Sequence, residues 1–99
     1  MGAITKQSRF VRASDVVACD LDGGQALLDL KQSQYYRLND TASVVWDALQ
    51  AARTLDDLVH AVTQEFDVSA DRCRPDVEAL LRSMAQSGLV DMSDEPSPQ

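Results

Sequence analysis

Residues able to carry covalent or acid–base chemistry are few in this 99-residue chain, and they are scattered. The one histidine, His60, lies roughly opposite Leu58 and Val62 by helical angle, which makes it a solvated surface residue and not a base or a ligand. Asp56 and Asp57 are neighbours, so on a helix their carboxylates diverge by about 100° and cannot share acid and base roles. They suit the positive end of a helix dipole instead. Cys19 and Cys73 form no Cys-x-x-Cys pair and, with His60, no cluster of metal-ligand spacing; two buried free thiols are expected. Gly23-Gly24 precedes a strand pattern and not a helix, so it cannot cradle a phosphate. The sequence predicts no enzyme: no catalytic residue, no metal site and no cofactor.

Recognition chemistry is better represented. Tyr36 and Trp46 occupy apolar positions and are expected in the core. Tyr35 and Arg37 alternate with Tyr36, so on a strand they project from the opposite face, where an aromatic beside a cation can meet a partner.

The elements that position these residues follow from periodicity. Val16 to Leu21 reads as a first strand, Asp22-Gly23-Gly24 as a hairpin turn, and Gln25 to Leu30 as a second strand. Lys31-Gln32-Ser33 is a second turn and Gln34 to Leu38 a third strand. Leu28, Leu30, Tyr36 and Leu38 are the apolar positions expected to face inward. From Asn39-Asp40, both good N-caps, the spacing changes to that of a helix: Ala42, Val45, Trp46 and Leu49 lie three and four apart. This helix runs from Thr41 to about Ala52. Thr54 caps a second, with Asp57 at capping-box spacing and Leu55, Leu58, Val59, Val62 and Phe66 as its stripe. Ser69 or Asp71 caps a third, in which Pro75 is tolerable only in the first turn. Its stripe is Val77, Leu80, Leu81 and Met84, and Gly88 is placed as its C-cap, with Leu89-Val90 packing the exit. The predicted class is α+β: a three-stranded antiparallel β-meander followed by three α-helices. Residues 1–13 are expected as a flexible arm pinned at Phe10, 14–90 as the domain, and 91–99 as a disordered tail.

Composition bounds the partners. With 44% apolar and 25% charged residues the chain is an ordinary globular domain. Nine basic residues against 16 acidic ones give a net charge of −7, which repels a polyanion; Lys6, Arg9 and Arg12 are the one local basic group. No apolar run approaches the roughly 20 residues of a membrane span, and no signal-peptide pattern opens the chain. A cytoplasmic protein without membrane or nucleic-acid partners is expected.

A three-stranded sheet of this order leaves its third strand as an edge with unpaired backbone groups. That strand carries no Pro and only Arg37 as a guarding charge. Such an edge accepts an extended peptide as a further strand, and the last helix beside it would form the wall of a groove.

The run LLDLKQSQYYRLNDTASVVWDAL, followed by TLDDLVHAVTQEFDVSADRCRPDVEALLRSMAQSGLV, resembles the PqqD-like family, the precursor-peptide recognition elements of ribosomally made, modified peptides. The resemblance spans roughly Val16 to Val90. Its most specific part is Tyr36-x-Leu38-Asn39 with Ala42 and Trp46 following. It implies a small winged-helix-like domain of three strands and three helices, a non-catalytic adaptor whose third strand and third helix take up the leader of a precursor peptide and present it to a maturation enzyme. By position, Gln34, Tyr35, Tyr36, Arg37 and Leu38 on the strand and Arg74, Val77, Leu81 and Met84 on the helix would contact the leader. The paired tyrosines and Asp29 resemble the stand-alone lasso-peptide branch, which serves a leader peptidase and cyclase. The alternative branch is PqqD itself, which serves a radical SAM enzyme. One departure is that many relatives have Gly in the turn where this chain has Gln32-Ser33. Two other readings stay open. One is a winged-helix DNA-binding regulator using Arg72, Arg74 and Arg82, which Asp76 and Glu78 on the same helix oppose. The other is a regulatory or oligomerising module; an exposed edge also permits a weak dimer as well as a monomer.

Overall fold

The structure, a computed structural model, describes residues 4–21 and 24–93. Its class is α+β, with six strands in two antiparallel sheets and three helices: β1 (Arg9–Arg12), β2 (Val16–Leu21), β3 (Gly24–Asp29), β4 (Gln34–Leu38), α1 (Asp40–Ala48), β5 (Arg53–Thr54), α2 (Leu55–Glu65), α3 (Ala70–Gln86) and β6 (Val90–Ser93).

One sheet has the order β2-β3-β4. Its register sets Val16 opposite Asp29, Leu27 opposite Tyr36 and Leu28 opposite Tyr35. Because strand side chains alternate, Leu27 and Tyr36 share the inner face, while Val17, Leu28 and Tyr35 share the outer one. Leu27 is fully buried; Leu30 and Tyr35 are more than half exposed. The expectation that Leu28 and Leu30 face inward is corrected by one residue. The run Ala26-Leu27-Leu28 is apolar on both faces, so periodicity alone did not fix the register. Cys19 is likewise exposed on β2 and not buried, while Cys73 is buried; both are free. The expected turn at Asp22-Gly23 lies outside the described residues.

The second sheet, in the order β5-β1-β6, corrects the expected arm and part of the expected tail. Arg9 pairs with both Thr54 and Ser93, and Arg12 with Val90, so segments called arm and tail are strands hydrogen-bonded to each other. Phe10, 1% exposed, enters the core from this sheet. The rest of the predicted tail, 94–99, and residues 1–3 of the arm lie outside the described residues.

Side-chain caps set the helix starts. Asn39 Oδ1 accepts from the Ala42 N–H at 2.8 Å, Thr54 Oγ1 from Asp57 N–H at 3.2 Å, and Ser69 Oγ from Arg72 N–H at 3.3 Å. At α2 the capping box closes, since the Thr54 N–H donates to Asp57 Oδ2 at 3.0 Å. That backbone hydrogen bond holds the Asp57 carboxyl below its ordinary value. Helix α1 ends at Ala48, earlier than the expected Ala52. Pro75 lies past the first turn of α3, deeper in the helix than expected. At the end of α3, Ser87 is the C-cap and Gly88 follows at φ +79°. Leu89 N–H donates to Met84 C=O and Gly88 N–H to Ala85 C=O, the two bonds of a Schellman motif. Leu27, Val45, Trp46, Leu49, Leu58, Val62, Val77 and Leu81, among others, join Phe10 in one core between the sheets and helices.

Candidate functional site

Strand β4 pairs with β3 on one side only, so its other edge is free among the described residues. Two features hold that edge in place. Upstream, the buried Asp29 carboxylate accepts from the Lys31 and Gln32 N–H groups at 3.0 and 3.2 Å, tying down the turn into β4. Ser33, the last residue of that turn, takes φ +56°, the left-handed conformation for which glycine is better suited. Downstream, β4 runs through Asn39 directly into α1, whose cap fixes the exit.

Alongside the free edge lies the C-terminal half of α3. Between them is a groove of about 170 Å³. Tyr36 and Leu38 of β4 with Ala42 of α1 form one side; Leu80 and Met84 of α3 with Leu89 just beyond it form the other; Ser83 and Ser87 line it with hydroxyls, and Arg37 and Asn39 complete the lining. Helix α3 ends beside the start of β4, where the Gln32 amide nitrogen stands 3.7 Å from the position of a Cβ on Gly88. The groove is therefore apolar in its floor, polar at its helix lip and bounded on one side by unpaired main-chain donors and acceptors. Such a site takes an extended peptide: main-chain hydrogen bonds supply affinity and the apolar floor takes alternate side chains.

The nine residues predicted to meet a peptide divide clearly. Tyr36, Arg37, Leu38 and Met84 line the groove, and Gln34 and Tyr35 lie exposed on the same strand. Val77 and Leu81 do not line it; both are fully buried, and their apolar signal belongs to the core. Arg74 is turned to α2, where its Nη1 lies 2.7 Å from Asp56 Oδ1. The helix wall is instead Leu80, Ser83, Met84 and Ser87, one stripe rotated from the core stripe. The sequence reading missed Ser83 and Ser87 because a serine carries no hydropathy signal; their i, i+3 and i+7 spacing from Leu80 was the one available clue.

Other candidate chemistry stays dispersed. His60 is exposed on α2, Cys19 and Cys73 are in different elements, and the described residues contain no group of His, Cys, Asp or Glu arranged to hold a metal ion. No helix among the described residues is long and apolar enough to cross a membrane. On α3, Arg82 donates to Glu78 Oε2 at 3.0 Å and Arg74 is held by Asp56, so two of its three arginines are already partnered.

With this geometry in view, the family is plain: residues 24–90 match the model of Coenzyme PQQ synthesis protein D (PqqD), and the chain belongs to that family. Two solved structures are similar to it. TbiB1 in complex with the TbiA(beta) leader peptide is 25% identical, with a TM-score of 0.73 over 82% of this chain and 94% of TbiB1. Lasso peptide synthetase B1 complexed with the leader peptide is 26% identical, with a TM-score of 0.68 over 83% of this chain and 96% of the other. No curated protein matches the chain.

Proposed function

We propose that this chain is a non-catalytic adaptor for a ribosomally made peptide. It binds the leader segment of the precursor as an added strand on β4, in the groove against α3, and presents it to a maturation enzyme. The observation that carries this reading is the free β4 edge facing the Leu80–Met84 wall across an apolar floor. Both similar solved structures hold a leader peptide, and one of them is a lasso peptide synthetase B1 by description, which supports a leader peptidase and cyclase pathway over delivery to a radical SAM enzyme. The family model itself, that of PqqD, is the observation favouring the second route. In this reading the domain is cytoplasmic and winged-helix-like, with β2, β3 and β4 as a meander that forms its wing.

Duplex DNA is a poorer ligand. Among the described residues the partnered Arg74 and Arg82 leave Arg72 as the unpaired cation on α3, too few to offset a net charge of −7. Fluorescence polarisation against the labelled leader of the precursor encoded beside this chain tests the proposal. Saturable binding at micromolar or lower concentration that persists at moderate salt is the expected result. A folded sample that ignores the leader but binds duplex DNA salt-sensitively would replace it with the regulator reading.

A further inference from the structure

A second groove lies between α1 and α2 and shares no lining residue with the first. It has a volume of about 420 Å³, an apolar floor of Val44, Ala48 and Ala61, and walls that carry Asp47 and Gln64–Glu65. Past Ala48 and Ala61 it continues into a further hollow of about 280 Å³, lined also by Arg53, Asp57 and His60. The two together run along the helix pair, which suits a chain segment better than a single ion.

The charge of this groove is unusual for its own helices. Asp47 and Glu65 both sit in the last turn of their helix, where the negative end of the dipole disfavours a carboxylate. Neither last turn has a basic residue, and no Lys or Arg occurs anywhere in α1 or α2. Among the described residues neither carboxylate has an ion-pair partner, whereas Asp56 is held by Arg74 and Asp57 by its capping box. Arg53, whose Nε donates to Ala48 C=O at 3.0 Å, answers the α1 carbonyls at the far hollow. Arg12 likewise donates to the Trp46 C=O, so both cations near the end of α1 are spent on backbone carbonyls, and the Asp47 and Glu65 carboxylates themselves stay unpaired among the described residues. Two exposed carboxylates lining one groove with Val44, Ala48 and Ala61 are complementary to an apolar side chain flanked by cations.

We infer that the α1–α2 groove is a docking site for a cationic amphipathic helix of a partner protein, with an apolar residue on the Val44–Ala48–Ala61 floor and Lys or Arg against Asp47 and Glu65. The site is separate from the β4 edge, so the partner and an extended peptide can be bound together. This inference stands whether or not β4 takes a leader.

The test is an NMR titration of the isotope-labelled chain with a designed helical peptide of alternating Lys and Leu faces. A control peptide of equal charge has its leucines replaced by serine. The expected result is saturable shifts grouped at Val44, Asp47, Ala48, Ala61, Gln64 and Glu65 with the Leu peptide and not with the Ser peptide. The double charge reversal Asp47→Lys/Glu65→Lys, both exposed sites, should weaken binding about tenfold or more. The same variant should leave any affinity of the β4 edge for a leader unchanged. Shifts spread over all acidic surfaces, equal response to both peptides, or no saturable binding would overturn the inference.

Discussion

The Arg12 guanidinium lies over the indole of Trp46, its central carbon 4.6 Å from the ring centroid, and donates to the Trp46 carbonyl from Nε at 3.1 Å and Nη2 at 2.6 Å. One side chain thus answers both the ring face and a carbonyl near the C-terminal end of α1, which also accepts from the Leu49 N–H at 3.1 Å, and it joins β1 to the helix that follows β4. Replacing Arg12 with Ala should lower stability by about 2–3 kcal/mol, the sum of a cation–π contact and a charge-assisted hydrogen bond. Arg12→Lys should recover less than half of that, because an ammonium lacks the planar fork. Urea denaturation of the three proteins gives the comparison.

The capping box of α2 predicts a pH dependence. Asp57 titrates below its ordinary value of 3.8 in the folded chain. Its contribution to stability is therefore complete above the unfolded value and disappears as pH falls through the folded one. The stability difference between the wild type and Asp57→Asn should be present at pH 6 and absent once the pH lies below the folded value. Thr54→Ala, which removes the cap itself, should cost about 1 kcal/mol at pH 6 and less at acid pH, because the Thr54 side chain helps to lower the Asp57 carboxyl.

Ser33 offers a gain. At φ +56° a non-glycine residue carries a conformational cost of about 1–2 kcal/mol, partly offset in glycine by greater freedom in the unfolded chain. Ser33→Gly should raise stability by about 0.5–1 kcal/mol and leave peptide affinity unaltered or improved. A fall in melting temperature would show that the serine side chain matters more to the turn than its backbone.

For the β4 edge, proline distinguishes its two sides. Successive N–H groups point alternately toward β3 and toward the free edge. Of Tyr35→Pro and Tyr36→Pro, one removes a ladder donor and should destabilise the sheet. The other removes an edge donor; it should fold with a near wild-type melting temperature and lose leader binding. Full binding by both variants would exclude strand addition.

On α3 the core and groove stripes should separate in the same way. Leu81→Ala, at a fully buried site, should cost about 2–5 kcal/mol in stability. Ser83→Trp fills the groove from an exposed position, so it should keep the melting temperature and reduce leader affinity at least tenfold. Calorimetry with paired binding isotherms measures both.

How far these features could be read in advance depends on how local their causes are. The starts of α2 and α3 and the cap Thr54 were legible, and Asn39 and Ser69 were each one of two candidate caps, because each is one side chain bonding to an N–H three residues on. The β2, β3 and β4 segments were legible from alternation and turn residues. Strands β1 and β6 were not: RFVR and VDMS are too short for a period, and each becomes a strand through a partner at the far end of the chain. The groove was half legible. Its strand side follows from Tyr36 and Leu38, but hydropathy pointed to Val77 and Leu81, which serve the core, and passed over Ser83 and Ser87, which line the groove.

The pairing of β1 with β6 also sets an order of events during synthesis. Strand β1, the central strand of its sheet, gains its longer partner only when Val90–Ser93 has been made. Closing a loop of nearly the whole chain is a late and slow step compared with the neighbouring contacts of β2, β3 and β4. The hairpins and helices can therefore form while the chain is still being elongated, with Phe10 and Arg12 waiting outside. The nascent protein presents its β4 edge before its own first strand is secured, and emergence of β6 is the step that locks the core.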